Sequence, residues 1–341
     1  MNTSILFPDE KGLASAAAAI REGSLVAMPT ETVYGLAADG LNPAAVAEIY
    51  RVKGRPQDNP LILHIASLDM LYPLVEIDEA TDGLIRKVAA RFWPGPLTMV
   101  LPRSSKVPDI ITAGGPTVAI RMPSHEVAHR LIALSGTPIA APSANLSGKP
   151  SPTLLRDVVD DLAGRIPVIL DGGECSVGVE STVIDLTHRP FAVLRPGGVS
   201  REELEDCLGE PFTDVSSPVK GVPVRSPGMK YKHYAPSTPL TAVCAPGDAS
   251  AAYILQRENT ACVIAFDEFA EKFEEAGFHV LSYGKEKDPA AQAKNLFLTL
   301  RKADRLGVPH LYIQMSPDKS GCGAAVYNRT LRACGGDIIT L

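Results

Sequence analysis

The sequence predicts an α/β protein in two parts: a twisted mixed sheet with helices over the first two thirds, then a smaller parallel sheet flanked by helices. Two patterns carry that prediction. Up to residue 211 the short apolar runs SLVAM, LILHIA, LTMVL, TVAIR, PIAA, IPVIL, STVID and FAVL read as strands, and only some are separated by helical stretches, around 43–52, 79–92, 125–135, 154–163 and 201–208. A mixed sheet follows, because strands joined without a helix pair antiparallel. From 239 the order becomes regular: PLTAV, helix, ACVIAF, helix, FHVLSY, a long helix over 288–306, HLYIQM and a last helix near 324–334. Strict alternation of this kind builds parallel βαβ units. The length of 341 residues agrees, since single cores rarely grow past ~250 residues.

The N-terminal elements carry the first chemical signals. SLVAM runs into MPTETVYGLAAD (28–39), read as a loop that leaves a strand and presents Thr30, Glu31, Thr32 and Tyr34 before Gly35. Asn42 and Pro43 open the next helix, AAVAEIY supplies its apolar face, and Gly54 stands where a left-handed cap ends it. Lys53 and Arg55 therefore leave the helix at its C-terminal end. The helix dipole alone favours cations there, so the pair gains meaning only beside other anion-binding groups. APSANLSGKPSPT (141–153) supplies them: Ser143, Asn145, Ser147 and Ser151 lie in a stretch too rich in Gly and Pro for regular structure. Hydroxyls and backbone N–H groups in such loops bind phosphate. Arg121 and Arg195 each follow a strand shortly before a proline, at a sheet edge where an anion would collect them. Further on, Ser200 and Glu203 form a capping box.

Several patterns point away from chemistry. His125-Glu126-Val127-Ala128-His129 matches the zinc-protease motif, but Pro123-Ser124 reads as a cap that puts it in an exposed first turn, and the positions for a third ligand hold Ile132 and Ser135. No metal site is expected from it. There is no P-loop, and Gly321-Cys322-Gly323 lacks the third glycine of a dinucleotide fingerprint, so it reads as a tight turn. The six cysteines include no CxxC spacing, which argues against a zinc knuckle and a disulfide framework. Neither a leader nor an apolar run of the ~18 residues that a membrane span needs is present. A soluble, cytoplasmic protein with no membrane contact is the expectation.

Charge divides the chain. Residues 1–211 hold 18 Lys and Arg against 26 Asp and Glu, whereas 212–238 hold four against one. An acidic chain lacks the broad basic footprint of a dedicated nucleic-acid binder. Composition makes 212–238 a linker between domains 1–211 and 239–341, yet its end, SPGMKYKHYAP (226–236), gathers two Tyr, two Lys, a His and a Met. A passive spacer has no use for such a cluster, so this linker is expected to touch a ligand site.

Taken in order, PTETVYGL (29–36), KGRPQDNPL (53–61), WPGPLT (93–98), AIRMP (119–123), APSANLSGKPSPT (141–153), DGG with GVESTVID (171–185), LRPG (194–197) and SPGMKYKHYAP resemble the two-domain threonylcarbamoyl-AMP synthases. GCGAAVYNR (321–329) resembles their C-terminal domain. The resemblance implies a YrdC-like twisted mixed sheet followed by a small Rossmann-like parallel α/β domain. It also implies a nucleotidyltransferase that makes L-threonylcarbamoyladenylate and pyrophosphate from L-threonine, bicarbonate or CO2, and ATP. That product serves the modification of adenosine 37 in tRNAs. By the same carry-over Lys53, Arg55, Ser143 and Asn145 form the catalytic nucleotide elements. Arg55, Asn59, Thr117, Ser143, Ser151, Arg195 and Tyr234 contact ATP, and Thr32, His64, Arg121, Ala141 and Ser181 surround threonine. Mg2+ arrives on the ATP phosphates, with no protein metal site. A downstream threonylcarbamoyl transferase and transient tRNA contact complete the implied partners. Relatives read GLGA where this chain has Gly35-Leu36-Ala37-Ala38, which strains Ala37 if that backbone needs positive φ. The alternatives are an RNA-binding module built on the basic, aromatic end of the linker and a carbamoyl-adenylate-forming maturation factor. The latter needs CxxC zinc motifs that are absent here.

Overall fold

The computed structural model describes residues 2–214 and 233–341, so residues 226–232 of the linker motif lie outside the described residues. The chain divides into two compact units. Unit 1 comprises Met1–Ser147, Pro152–Ser176 and Glu180–Tyr231; unit 2 comprises Gly148–Ser151, Val177–Val179 and Lys232–Leu341.

Unit 1 runs β1 (Ser4–Leu6), α1 (Glu10–Arg21), β2 (Val26–Met28), β3 (Gly35–Asp39), α2 (Pro43–Lys53), β4 (Ile62–His64), α3 (Leu68–Leu71), α4 (Glu79–Phe92), β5 (Leu97–Pro102), α5 (Asp109–Thr112), β6 (Thr117–Arg121), α6 (Glu126–Ser135), β7 (Ile139–Ala140), α7 (Leu155–Leu162), β8 (Val168–Leu170), β9 (Thr182–Asp185), β10 (Ala192–Arg195), α8 (Arg201–Leu208) and β11 (Thr213–Asp214). Its eleven strands form one mixed sheet in the order β1-β8-β2-β3-β7-β4-β6-β5-β9-β10-β11.

Local chemistry sets the helix ends. Asn42 caps α2 by accepting from the N–H groups of Ala44 and Ala45, Pro43 fills the first turn, and Gly54 ends the helix at φ 62°. The Ser200–Glu203 capping box opens α8. α6 begins one residue later than expected: His125 itself is the cap, and its Nδ1 accepts from the Val127 N–H.

Several elements escaped the sequence reading, the short β1, α3, α5 and β11 among them, and three others are instructive. α1 buries Leu13, Ala16, Ala17 and Ile20, but an alanine-rich face gives little hydrophobic contrast to mark its period. The segment read as a loop over 28–39 contains β3, whose Gly-Leu-Ala-Ala-Asp lacks β-branched residues; pairing with β2 and β7 makes it a strand. Ala37 lies inside that strand and is absent from the positive-φ residues, so its replacement of glycine carries no backbone strain. The third is β16, the last strand of unit 2.

The two faces of the unit 1 sheet are covered unequally. One packs Leu61, Leu63, Val118, Ile120, Leu97 and Met99 against α2, α4, α5, α7 and α8 in a single core. On the other, α1 and α6 cover only the half built from β2, β3, β7 and β8. The remaining half carries an apolar floor of Ile62, Val100, Ala119, Val183, Ala192 and Leu194, a cluster with no helix residue in it. Strand alternation puts Thr117, Arg121, His64 and Thr98 on this same face. Arg195 reaches it through a bulge. Val193 pairs with Ile184 but Arg195 with Val183, so Leu194 is the extra residue. Regular alternation would send Arg195 into the core with Val193, and the bulge re-aims it.

Unit 2 consists of β12 (Leu240–Cys244), α9 (Gly247–Ile254), β13 (Cys262–Ala265), α10 (Ala270–Glu275), β14 (His279–Ser282), α11 (Pro289–Asp304), β15 (Leu311–Met315), α12 (Gly323–Ala333) and β16 (Ile338–Thr340). The five strands are all parallel in the order β14-β13-β15-β12-β16, as the βαβ rhythm predicts. The two short N-terminal segments in this unit pack on α11. Arg301 donates through Nε and Nη2 to the Pro150 carbonyl (3.0 and 2.6 Å), and Gly178 lies so close to Lys294 that a Cβ would sit 2.4 Å from its backbone.

A close approach also fixes the chain after the bulge, where a Cβ on Gly197 would stand 2.2 Å from Thr182 N. Gly197→Ala is expected to destabilise the fold by ~1–3 kcal/mol, read as a Tm several degrees lower in thermal unfolding; an unchanged Tm would contradict this packing.

Candidate active site

A lysine at a helix C-terminus normally faces water, but Lys53 is 3% exposed. Its Nζ donates to the carbonyls of Ser143 and Asn145, both at 2.5 Å, and the Ser147 N–H donates back to the Lys53 carbonyl at 2.9 Å. Two of the three ammonium N–H directions thus hold the 141–147 loop against the end of α2. Asn145 turns its Nδ2 to the Leu146 carbonyl, and Ser143 forms an isolated bridge with Gly35. Half-buried Arg55 folds back on the turn that follows it, donating to the carbonyls of Asn59 (3.3 Å) and Pro60 (3.0 Å). Asn59 is 2% exposed, and its Nδ2 has no hydrogen-bond partner among the described residues. A buried amide left in that state costs free energy unless a ligand accepts from it.

Groups expected around threonine gather on the half-covered sheet face. His64 on β4, Arg121 on β6 and Thr98 on β5 stand in one cross-strand row. His64 and Arg121 end their parallel strands, the position at which α/β sheets place ligands. Thr117 is four residues from Arg121, on the same face and ~13 Å away along β6. Arg121 donates from Nη1 to Thr32 Oγ1 (2.9 Å) and from Nε to the Gly95 carbonyl (3.3 Å). Its Nη2 meets Glu31 Oε1 at 2.8 Å, both side chains being about 5% exposed. That contact is one of charge rather than an aligned hydrogen bond, and Nη2 and both Glu31 oxygens keep unused bonding directions. Thr32 also touches Thr30 Oγ1, which accepts from the N–H groups of Thr32 and Val33 and so shapes the turn. Ala141 lies beside Gly35, where a Cβ would come within 3.2 Å of its own.

Arg195 and Ser181 form the adjoining wall. Nη2 and Nε of Arg195 donate to the Ser181 carbonyl (2.8 and 3.1 Å), Nη2 also reaches Ser181 Oγ at 3.1 Å, and that hydroxyl meets Thr98 Oγ1 at 2.8 Å. Ser151 and Tyr234 belong to unit 2. Ser151 is fully buried; Tyr234 adopts φ 65°, with its ring 5.1 Å from Phe297 and under the Arg329 guanidinium.

Burial sets the protonation states. It pushes His64 down to about 3, and the Arg121 charge pushes the same way; the ring is neutral at physiological pH, with Nδ1 unpartnered among the described residues. Glu31 shows the opposite balance. Burial raises its carboxyl, but the Arg121 charge and hydrogen-bond donors outweigh it and hold the group below the ordinary carboxylate value.

Glu31 and Thr98 are the participants that motif reading did not assign. Glu31 is the one carboxylate in PTET, and the register of LTMVL against TVAIR points to Thr98.

The Sua5–YciO–YrdC family model, described as telomere recombination, matches residues 18–197, and a model described as the threonylcarbamoyl-AMP synthase C-terminal domain matches 199–335. The threonylcarbamoyl-AMP synthase of Pyrococcus abyssi is 48% identical over 95% of this chain and 94% of its own length. That of Bacillus subtilis is 42% identical over 99% and 97%. Among solved structures, P. abyssi Sua5 complexed with L-threonine superposes with a TM-score of 0.88 at 45% identity, covering 99% of this chain and 100% of that one.

His64 yields a test by pH. The unfolded chain protonates this ring near 6.5 and the folded chain only near 3, so its contribution to stability is present above 6.5 and is lost as pH falls toward 3. His64→Gln is expected to flatten the dependence of urea-unfolding free energy on pH between 6.5 and about 4. An equally steep slope in the variant would place the effect elsewhere.

Proposed function

The chain belongs to the threonylcarbamoyl-AMP synthase family, and from that premise we propose that it joins L-threonine, bicarbonate and ATP into L-threonylcarbamoyladenylate, releasing pyrophosphate and water. The observation that carries this reading is a pair of polar clusters in unit 1. One gathers Arg121, Thr32 and His64 at the half-covered sheet face, and the other gathers the donors of Lys53, Arg55 and Asn59 at and just beyond the end of α2.

The reaction balances in two steps. The threonine amine adds to bicarbonate with loss of water, giving a carbamate; a carbamate oxygen then attacks the α-phosphorus of ATP, and the bond to the β-phosphate breaks to release pyrophosphate. Both steps need charge control and alignment rather than a protein nucleophile. Arg121 takes the threonine carboxylate through the Nη2 that lacks an aligned partner. Neutral His64 and the Thr32 and Ser181 hydroxyls read the threonine side-chain hydroxyl. At the nucleotide end Arg55, Asn59, Thr117 and Ser143 meet ATP, and Arg195 meets it from the wall beside Ser181. Lys53 gives its positive charge to this end while fixing the loop that carries Ser143 and Asn145.

The donor set also says how a metal fits. Lys53, Arg55, Asn59 and Arg195 present N–H groups, and among the described residues no three His, Cys, Asp or Glu side chains gather as ligands. Mg2+ would therefore be held by phosphate oxygens and supply charge neutralisation to the triphosphate. The adenylate would pass to a threonylcarbamoyl transferase acting on adenosine 37 of tRNA. These chemistries fit a cytoplasmic protein, and no helix among the described residues is long and apolar enough to cross a membrane.

Pyrophosphate release assayed with and without threonine and bicarbonate tests the reading. Turnover is expected only with both. Arg55→Ala and Lys53→Ala should each lower it by roughly two orders of magnitude. Serine should be discriminated by only ~10–200-fold, because one methyl separates it from threonine, and valine more strongly because it leaves the hydroxyl-reading groups unpaired. ATP turnover indifferent to threonine would overturn the proposal.

A further inference from the structure

Arg121 and Glu31 are a buried pair whose bonding directions are not used up. Nη2 of Arg121 stands 2.8 Å from Glu31 Oε1, with both side chains about 5% exposed. Nη1 and Nε of Arg121 serve Thr32 Oγ1 and the Gly95 carbonyl. Neither Nη2 nor either Glu31 oxygen has an aligned hydrogen-bond partner among the described residues. The N–H groups of Glu31 itself and of Ser124 lie near enough to favour the ionised carboxylate. A carboxylate nevertheless offers about four acceptor directions, and a buried one left short of aligned donors requires a ligand that brings them.

Charge balance narrows that ligand. The titratable groups facing Glu31 are Arg121 from β6, His64 from β4, His125 from the cap of α6 and Cys175 from the loop after β8. Burial lowers both histidines and pushes the Cys175 thiol up to about 12, so these three are uncharged at neutral pH. Arg121 and Glu31 thus balance each other, and a ligand that brought only a carboxylate to Arg121 would leave one buried negative charge uncompensated. A zwitterion leaves none. In an α-amino acid the nitrogen and the carboxylate carbon are about 2.5 Å apart, close to the 2.8 Å contact between Arg121 and Glu31. The two ion pairs can therefore lie side by side with alternating signs.

We propose that Glu31 binds the threonine ammonium and accepts its first proton, which makes it a catalytic residue of carbamate formation. The inference rests on the proposed synthesis and deepens it. Without substrate, burial pushes the Glu31 carboxyl up, but the Arg121 charge and the neighbouring donors outweigh it and hold the group below the ordinary carboxylate value. Once the threonine carboxylate occupies Nη2, that offsetting charge is shared and a second anion stands nearby, so Glu31 becomes more basic. One proton then passes from the ammonium nitrogen to a Glu31 oxygen. The freed lone pair forms the bond to the bicarbonate carbon, and a second amine proton leaves with a bicarbonate hydroxyl as water. The products are the carbamate, water and one proton on Glu31, which returns to solvent.

Calorimetry on the full chain reads the ammonium contact. The wild type is expected to bind threonine roughly 10–100-fold more tightly than 3-hydroxybutyrate, which is threonine without its amine. Glu31→Gln keeps the size and an acceptor but not the charge. Threonine should weaken at least about tenfold in this variant, while 3-hydroxybutyrate, an anion facing an uncompensated Arg121, should bind as well or better. Pyrophosphate release reads the proton. Between about pH 7 and 9 the wild-type rate should stay nearly level, and that of Glu31→Gln should climb by up to about tenfold per pH unit as solvent replaces the carboxylate. Equal wild-type affinity for the two ligands overturns the inference even if the variant fails to fold. An unchanged affinity ratio in folded Glu31→Gln, or parallel pH profiles, also overturns it and leaves the synthesis standing. Wild-type protein that binds no threonine overturns the synthesis and this inference together.

Discussion

A buried ammonium must be given hydrogen-bond acceptors, and that requirement at Lys53 organises unit 1. Taking the charge out of water is costly unless its donors are met, and the structure meets two of them with the Ser143 and Asn145 carbonyls. The loop and the end of α2 therefore hold one another in place. The same loop joins β7 to Pro152, whose carbonyl accepts from the Tyr34 N–H, and its Ala144 N–H donates to the Tyr34 carbonyl. One cation thus ties a helix end, a hydroxyl loop and the PTET turn into a single framework. An arginine there would not be equivalent, because a planar fork does not place its donors on two converging carbonyls as a compact ammonium does.

A second constraint lies on the half-covered sheet face, where Arg121 and Glu31 are both almost fully buried. Pairing lets each remain ionised without water, and the unaligned geometry leaves hydrogen-bonding capacity for a ligand that carries charge of its own. The neutral His64 beside them follows from burial and from the Arg121 charge. A protonated imidazole at that point would compete with Arg121 for the same carboxylate. Beside them the same face is floored by the apolar side chains of Ile62, Val100, Ala119, Val183, Ala192 and Leu194.

The parts of this arrangement differ in how far the sequence discloses them. The helix caps at Asn42, Gly54 and Ser200 are local chemistry and were legible residue by residue, as was the parallel rhythm of unit 2. The motif segments were legible as a set, but not the row that joins them: His64, Arg121 and Thr98 come together through strand register, which no local pattern states. Arg195 depends on a bulge at Leu194 that regular alternation conceals. The inward turn of Lys53 was equally hidden, because a lysine at a helix end ordinarily reads as solvent-facing and its acceptors lie about ninety residues on. β3 and α1 were missed for a compositional reason: small residues give weak periodicity, and partners decide their state.

The central proposal is that unit 1 divides its work, with threonine held at Arg121 and the nucleotide at Asn59. Steady-state KM values for threonine and for ATP, measured on Arg121→Lys and Asn59→Ala, test it most directly. The account predicts a split: Arg121→Lys raises the KM for threonine and leaves that for ATP nearly unchanged, and Asn59→Ala does the reverse. Equal changes in both constants for both variants would contradict a two-ended site.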